Sequence, residues 1–357
     1  PDQQPVHRPF SFAEGCGLIM MVAKPIPRNR WHEDACAAAI KKEWAGLLRE
    51  DRPVVDMSDV REWHDVARLA NKEGRVIHMG RMFGIMVCKN WEDPALHKMK
   101  YRVVFQGDQV KTQNLEVALF QDLGSAPVSM DGANCIIAAG MQKGYVIQQA
   151  DAEQAYTQAP MTGIETWVML PPEIWPEEWH EKGTYHRPVA RMQYALYGHP
   201  DAGTAWEQHS YRQLHKLGFT PIPNWPSMFV WPKYNIMMSI YVDDFLMSGP
   251  EDCIVHVWNK VGKVLQMEEP KPLDHYLGCN YKISTREVPH VGEVTICEST
   301  MDNYFKAICD DYVALARDLL KDNNFKLKYA PTPFLREDQK NAQARRPFVG
   351  IGQHPSF

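Results

Sequence analysis

Apolar positions recur at a period near 3.6 in some stretches of this chain and near 2 in others, and the alternation between the two predicts a mixed α+β protein. Over residues 34–49, Ile40, Trp44, Leu47 and Leu48 fall on one face opposite Lys41, Lys42 and Glu50, which predicts an amphipathic helix. Residues 82–88 and 101–107 read as the two strands of a long hairpin, joined by a turn-rich stretch at 90–97. Ser129 is placed to cap a helix through Cys135, Ile136, Ile137 and Ala139, with Gly144 as its stop. The strand 145–150 follows and delivers Asp151. Residues 171–188, rich in Pro and Trp, read as loop. Residues 202–217 carry Trp206, Ser210, Leu214 and Leu217 on one helical face, closed by Gly218. A helix at 252–265, short strands at 276–283 and a helix at 301–322 complete the pattern, without βαβ regularity.

The segment with the most chemistry in it is Tyr241-Val242-Asp243-Asp244. It lies between the apolar runs 236–240 and 245–247, and Ser248-Gly249-Pro250 then breaks the chain, so the segment reads as a β-hairpin presenting two acids at its tip. On its own, Asp in a surface turn is the simpler explanation. Asp151, at the end of another strand, is the natural third carboxylate; adjacent strands can bring such acids together to hold two divalent cations for phosphoryl or nucleotidyl transfer.

Composition narrows the classes. At 357 residues, 45% hydrophobic and 23% charged, the chain can bury a core of two or more subdomains. Its longest early apolar run, residues 17–23, is far short of the ~20 residues a membrane span needs, and it lacks a signal-peptide flank. No membrane partner is expected. Eight scattered cysteines without a C-x-x-C pair argue against a zinc ribbon or a disulfide scaffold and suit a reducing compartment. Cys253 and His256 read as ordinary helix residues, and His209 and His215, six apart, as surface or interface histidines. The net charge of −5 does not advertise a nucleic-acid binder, but charge is local: Lys98, Lys100, Arg102 and Lys111 cluster in one segment, and Lys321, Lys326, Lys328, Arg336, Lys340, Arg345 and Arg346 in another. There is no P-loop, H-E-x-x-H, G-x-S-x-G or strand-following G-x-G-x-x-G motif. The chain begins Pro1-Asp2 without an initiator Met, which reads as a piece excised from something longer.

Six blocks, in order, give the chain a family resemblance. Lys100-Tyr101-Arg102-Val103-Val104 with Gln106-Gly107, Asp151-Ala152-Glu153-Gln154-Ala155-Tyr156 and Trp167-Val168-Met169-Leu170-Pro171-Pro172 are three of them. Ala195-Leu196-Tyr197-Gly198 with Ala205-Trp206, Tyr241-Val242-Asp243-Asp244 and Tyr276-Leu277-Gly278 are the others. Together they resemble the reverse transcriptase of copia-type LTR retrotransposons, over roughly residues 36–333, and the helix with Trp44 looks like the segment that precedes that family's fingers. One departure stands out: where the family has a basic L-K-Q-A-P-R segment, this chain has His199-Pro200-Asp201-Ala202-Gly203-Thr204.

The resemblance implies a right-hand polymerase with fingers, palm and thumb around an antiparallel palm sheet. Its expected divisions are an arm and helix (1–50), fingers (51–140), palm (141–170) and a template-contacting insertion (171–205). Palm with the acidic hairpin and primer grip (206–290), thumb (291–345) and the start of a truncated connection (346–357) follow. It implies an RNA-directed DNA polymerase joining dNTPs to a primer 3′-OH, with an RNA template and an RNA–DNA hybrid as partners. RNase H and integrase portions of a polyprotein would lie beyond the chain, and the location would be cytoplasmic, in a virus-like particle, or nuclear. Asp151, Asp243 and Asp244 would be catalytic; Asp151 and Asp243 would hold two Mg²⁺ ions, replaceable by Mn²⁺, helped by the Ala152 carbonyl and with Asp244 in support. Lys100, Arg102, Tyr156, Tyr197 and Gly198 would meet the dNTP, Tyr156 as the gate against a ribose 2′-hydroxyl, and Tyr276, Leu277 and Gly278 would form the primer grip. Trp206 is assigned to packing. The alternative is a catalytically weak remnant that survives as a nucleic-acid-binding or protein-interaction module, which the altered 199–204 segment favours.

Overall fold

A computed structural model describes residues 23–89, 97–120, 126–183 and 185–327. Two compact units are present; the larger runs from Met21 to Met301. Its helices are α1 (Asp34–Leu47), α2 (Trp63–Glu73), α3 (Met130–Gly140), α4 (Glu177–Lys182), α5 (Ala202–Leu217) and α6 (Glu251–Val261). The first strands are β1 (Ala23–Pro25), β2 (Arg61–Glu62), β3 (His78–Lys89), β4 (Lys98–Phe105), β5 (Lys111–Thr112), β6 (Tyr145–Asp151), β7 (Thr166–Met169) and β8 (Pro188–Arg191). They are followed by β9 (Thr220–Pro221), β10 (Met228–Trp231), β11 (Ile236–Tyr241), β12 (Asp244–Pro250), β13 (Lys271–Pro272), β14 (His275–Tyr276), β15 (Cys279–Val288) and β16 (Gly292–Thr300).

The strands form three sheets. One is ordered β1-β3-β7-β8-β2, with β4 and β5 also on β3. Its long β3–β4 hairpin carries the basic residues, and α1 packs Trp44 and Leu47 against Met82, Met86, Tyr101 and Val103. The second sheet, β13-β6-β12-β11-β10-β9, is antiparallel throughout. Side chains on a strand alternate between faces, and the two faces of β12 lie in different cores. Phe245 and Met247 meet α5 and α6 through Trp206, Leu214, Ile254 and Val257, whereas Leu246 meets α3 through Ile136 and Ile137. The third sheet is the long hairpin β15–β16 with β14 on one edge.

Local signals explain most elements. Ser129 Oγ accepts from Gly132 N at 3.1 Å and opens α3. Gly218, at φ +113°, closes α5. Helix α3 ends at Gly140, four residues before the expected stop: a Cβ there would lie 2.3 Å from Ile147 Cγ1, so glycine lets the helix end lie directly on β6, and Gly144 (φ +78°) serves the turn into that strand. The 171–188 stretch contains α4 rather than loop alone.

Two expected divisions do not match this architecture. The 140/141 boundary separates α3 from the sheet it packs on, and the 290/291 boundary cuts the turn of the single hairpin β15–β16. The described part of the second unit is α7 (Asp302–Leu320) with the residues after it; Arg317 Nε donates to Phe325 O at 3.1 Å. The expected N-terminal arm before residue 23, the turn at 90–96, and the thumb end and connection beyond residue 327 lie outside the described residues.

Candidate active site

Strands β11 and β12 pair from Met237↔Ser248 to Tyr241↔Asp244, which leaves Val242 and Asp243 as a two-residue turn. Val242 has φ +58°, a conformation that β-branched residues rarely adopt. Two bonds hold the turn there: Trp206 Nε1 donates to Val242 O at 2.6 Å, and Ala152 N donates to Asp243 O at 2.7 Å. Trp206 packs in the core as its sequence assignment has it, and its N–H also holds the turn. Periodicity places it on the buried face of α5, but nothing in the pattern shows where its N–H points.

On the other edge of β12, Asp244 is in register with Asp151 on β6. Burial, followed by the nearby charges of Asp151 and Asp243, pushes the Asp244 carboxyl up to about 6. Asp243, in the turn, faces a further group of side chains as well. Its charge, second to burial, raises the phenols of Tyr156 and of Tyr197, the latter to about 12. The structure thus brings Asp151 together with Asp244, and places Asp243 near Asp244 as well as near Tyr156 and Tyr197. Among the described residues no three His, Cys, Asp or Glu side chains are gathered as a metal-holding group.

Beside the acids lies a cleft of about 660 Å³ lined by Gln149, Asp151, Tyr241, Asp244, His275, Leu277 and Gly278. Leu277 (φ +48°) and Gly278 (φ +80°) form the tight turn between β14 and β15, while Tyr276 is buried with its hydroxyl 3.4 Å from Ser239 Oγ. Leu277 and Gly278 therefore share a wall with two of the acids, and Tyr276 supports them from below.

The nucleotide-directed candidates gather on β4 and behind it. Lys100 is half-buried; desolvation, then Arg102 and Lys89, depress its ammonium to about 8. Arg102 Nη1 pairs with Glu43 Oε2 at 2.9 Å, and Glu43 Oε1 accepts from Val103 N at 3.3 Å. Glu43 was missed, although an acid beside Trp44 on the apolar face of α1 was the available signal. Tyr156 and Tyr197 meet edge to face at 4.5 Å. Gly198 has φ +89°, and a Cβ there would lie 2.2 Å from Phe105 O; Phe105 N donates to Tyr197 O at 2.7 Å. No side chain but hydrogen fits that approach.

Within the 199–204 segment His199 and Ala202 fold inward, while Pro200 is exposed. His199 is buried against Phe105, with ring centroids 4.7 Å apart, and its Nδ1 accepts from Asp201 N at 3.1 Å. Its Nε2 has no partner, and burial followed by His78 lowers its pKa to about 4. His209, expected at a surface or interface, is half-buried and stacked along Trp206 with centroids 6.1 Å apart; His215 is exposed.

Residues 85–305 match the family model described as "Reverse transcriptase (RNA-dependent DNA polymerase)". The chain is 25% identical over 195 residues to the retrovirus-related Pol polyprotein from transposon RE2 of Arabidopsis thaliana, covering 53% of this chain and 12% of that one. For the RE1 polyprotein of the same plant the figures are 24% over 201 residues, 56% and 13%. A putative transposon Ty5-1 protein of Saccharomyces cerevisiae is 26% identical over 139 residues, covering 38% of this chain and 40% of that one. The chain thus spans about an eighth of the length of the Arabidopsis relatives it matches. A solved structure of telomerase from Candida albicans, complexed with a fragment of telomeric RNA, covers 69% of this chain and 48% of its own at 10% identity; its TM-score of 0.35 is too low to argue from. With more than half of its length matched by the family model, the chain belongs to the reverse transcriptase family.

Proposed function

We propose that this domain transfers a nucleotidyl group from a dNTP to a primer 3′-hydroxyl on an RNA template, with the second sheet as palm, the β3–β4 sheet as fingers and α7 as part of a thumb. One observation carries the reading. Asp151 and Asp244 stand abreast on neighbouring strands, with Asp243 in the adjoining turn, along the cleft that Leu277 and Gly278 border.

The donor set suits a hard divalent cation such as Mg²⁺, since every candidate ligand is an oxygen. The Asp244 pKa is raised first by burial and then by the charges of Asp151 and Asp243, which His275 offsets only in part. Asp151, Asp243 and Asp244, with the Ala152 carbonyl, would hold such ions. When bound, they would supply Lewis-acid activation of the hydroxyl and charge neutralisation at the leaving pyrophosphate.

The chain's own groups would do the rest. Lys100 and Arg102 would meet the triphosphate oxygens, Arg102 in the orientation that Glu43 sets. Tyr156, backed by Tyr197, would exclude a 2′-hydroxyl, and Gly198 would let the base and template approach the main chain. Leu277 and Gly278 would hold the primer end. Extension of a DNA primer on an RNA template tests this: Asp151→Asn, Asp243→Asn and Asp244→Asn should each abolish incorporation in Mg²⁺ while the fold is kept. Normal extension by any of the three would remove that residue from the assignment.

A second reading is favoured by the 199–204 segment, where the resembled family is basic and this chain has a buried His199 and an acid: a nucleic-acid-binding module with little catalysis. It requires tight RNA–DNA duplex binding without incorporation in either Mg²⁺ or Mn²⁺.

A further inference from the structure

The loop after α1 holds a second group of cations that the candidate active site does not use. Arg52 Nη2 and Arg49 Nη1 both donate to one neutral acceptor, Gln266 Oε1, at 2.8 and 3.4 Å. Two guanidiniums on one amide oxygen repel each other unless an anion offsets them. Asp51 does this for Arg49, whose Nε and Nη2 reach its two oxygens at 2.9 and 2.6 Å. Arg52 feels the Asp51 charge only from a distance. Among the described residues no carboxylate hydrogen-bonds to it or ion-pairs with it, and of its five N–H protons only those on Nη2 meet an acceptor.

The acceptor at the centre is firmly fixed. Gln266 N donates to Gln158 Oε1 at 2.8 Å, and Gln266 O accepts from Gln158 Nε2 and from Glu153 N, each at 2.9 Å. The main chain of this site is therefore tied to the residues that directly follow Asp151, with Ala152 bridged to Met267. Desolvation and then Arg49 lower the Arg52 pKa, and the charge of Asp51 offsets this only in part. From α5, His209 faces the same region: after burial, the charges of Arg212, Arg52 and Lys216 lower its pKa to about 4. The nearby acids are Asp51, already taken, and Glu153.

We propose that Arg52 and Arg49, set on the fixed Gln266 amide, form a second oxyanion site that takes a phosphate group, distinct from the nucleotide-directed pair Lys100 and Arg102. A planar guanidinium with unspent N–H groups matches paired phosphate oxygens. The phosphate can arrive on a nucleic-acid backbone or free, as pyrophosphate.

Binding is measured by calorimetry on the whole chain at low salt, without divalent cations or dNTP, using inorganic pyrophosphate in one arm and a single-stranded DNA oligonucleotide in the other. The variants are Arg52→Gln and Gln266→Glu. The latter puts the missing carboxylate between the two guanidiniums, so it should melt no lower than wild type while closing the site. If the source is free phosphate, both variants lose at least about tenfold in pyrophosphate affinity. If it is a strand, pyrophosphate binding is unchanged, while oligonucleotide affinity drops and its salt slope shrinks by about 1. Equal affinity of wild type and Gln266→Glu for both probes, or no binding of either probe by wild type, overturns the proposal. Because neither metal nor nucleotide takes part, a negative result leaves the polymerase reading standing, and failed primer extension leaves this one standing.

Discussion

Replacing Trp206 with Phe tests how the acidic turn is held. The ring is 3% exposed and packs edge-on against Phe245 at 6.4 Å, so Phe keeps most of the packing and removes only the N–H that reaches Val242 O at 2.6 Å. A buried hydrogen bond of this kind is worth about 1 kcal/mol net, and leaving its acceptor unmet costs up to about 3 kcal/mol. Val242 at φ +58° stores about 1–2 kcal/mol of left-handed strain. Bond and strain are of similar size, so without the bond the turn has reason to relax, and Asp243 moves with it. Primer extension at saturating dNTP should show kcat down roughly tenfold, equivalent to about 1.4 kcal/mol, with KM changed far less. Val242→Gly relieves the strain at its source, so Trp206→Phe should cost much less in that background. Wild-type kcat in Trp206→Phe, or equal costs in the two backgrounds, would refute the argument.

Three further outcomes follow from the same geometry. Lys100 is charged only below about pH 8, so kcat/KM for dNTP should fall as pH rises through that value, and Lys100→Arg should extend the plateau upward; a profile flat to pH 9.5 in wild type removes Lys100 from the nucleotide site. His199 has a folded pKa of about 4, below its ordinary 6.5, so the unfolded chain binds the extra proton and stability declines as pH falls from 6.5 toward 4. Urea unfolding at pH 7 and pH 5 should show about 2 kcal/mol less of this loss in His199→Phe than in wild type, and equal losses would contradict the burial argument. Gly198→Ala forces a Cβ to 2.2 Å from Phe105 O at φ +89° and should cost about 2–4 kcal/mol in thermal unfolding; a neutral effect would mean the approach is looser than described.

What the sequence shows most clearly is what backbone periodicity and end signals control. The bounds 202–217 of α5, the Ser129 cap, the acidic hairpin and the strand ending in Asp151 all follow from local rules. Side-chain direction is harder to read. The pattern identifies Trp206 and Glu43 as residues on buried faces, but their contacts with Val242 and Arg102 span different elements, so no local spacing reports them. The expected short strands near 276–283 extend to Val288 and pair with a strand not foreseen, because exposed residues such as Lys282 and Arg286 obscure the alternation; cross-strand partners, Glu298 and Val294, complete it. The two hairpin acids separate for a physical reason as well. Asp244 obeys the two-residue alternation of β12 and turns toward Asp151, while Asp243 sits in the turn, where that alternation no longer applies.

The register that sets Asp151 beside Asp244 also bears on how this domain can change over time. Paired residues in an antiparallel ladder are held about 4.5–5.5 Å apart by main-chain hydrogen bonds, whatever side chains fill the core behind them. Core substitutions that keep the ladder therefore leave the two carboxylates abreast. Length is the unforgiving variable. One residue added to or removed from β6 or β12 would turn one carboxylate to the opposite face of the sheet. Such a site tolerates drift in composition and almost none in count.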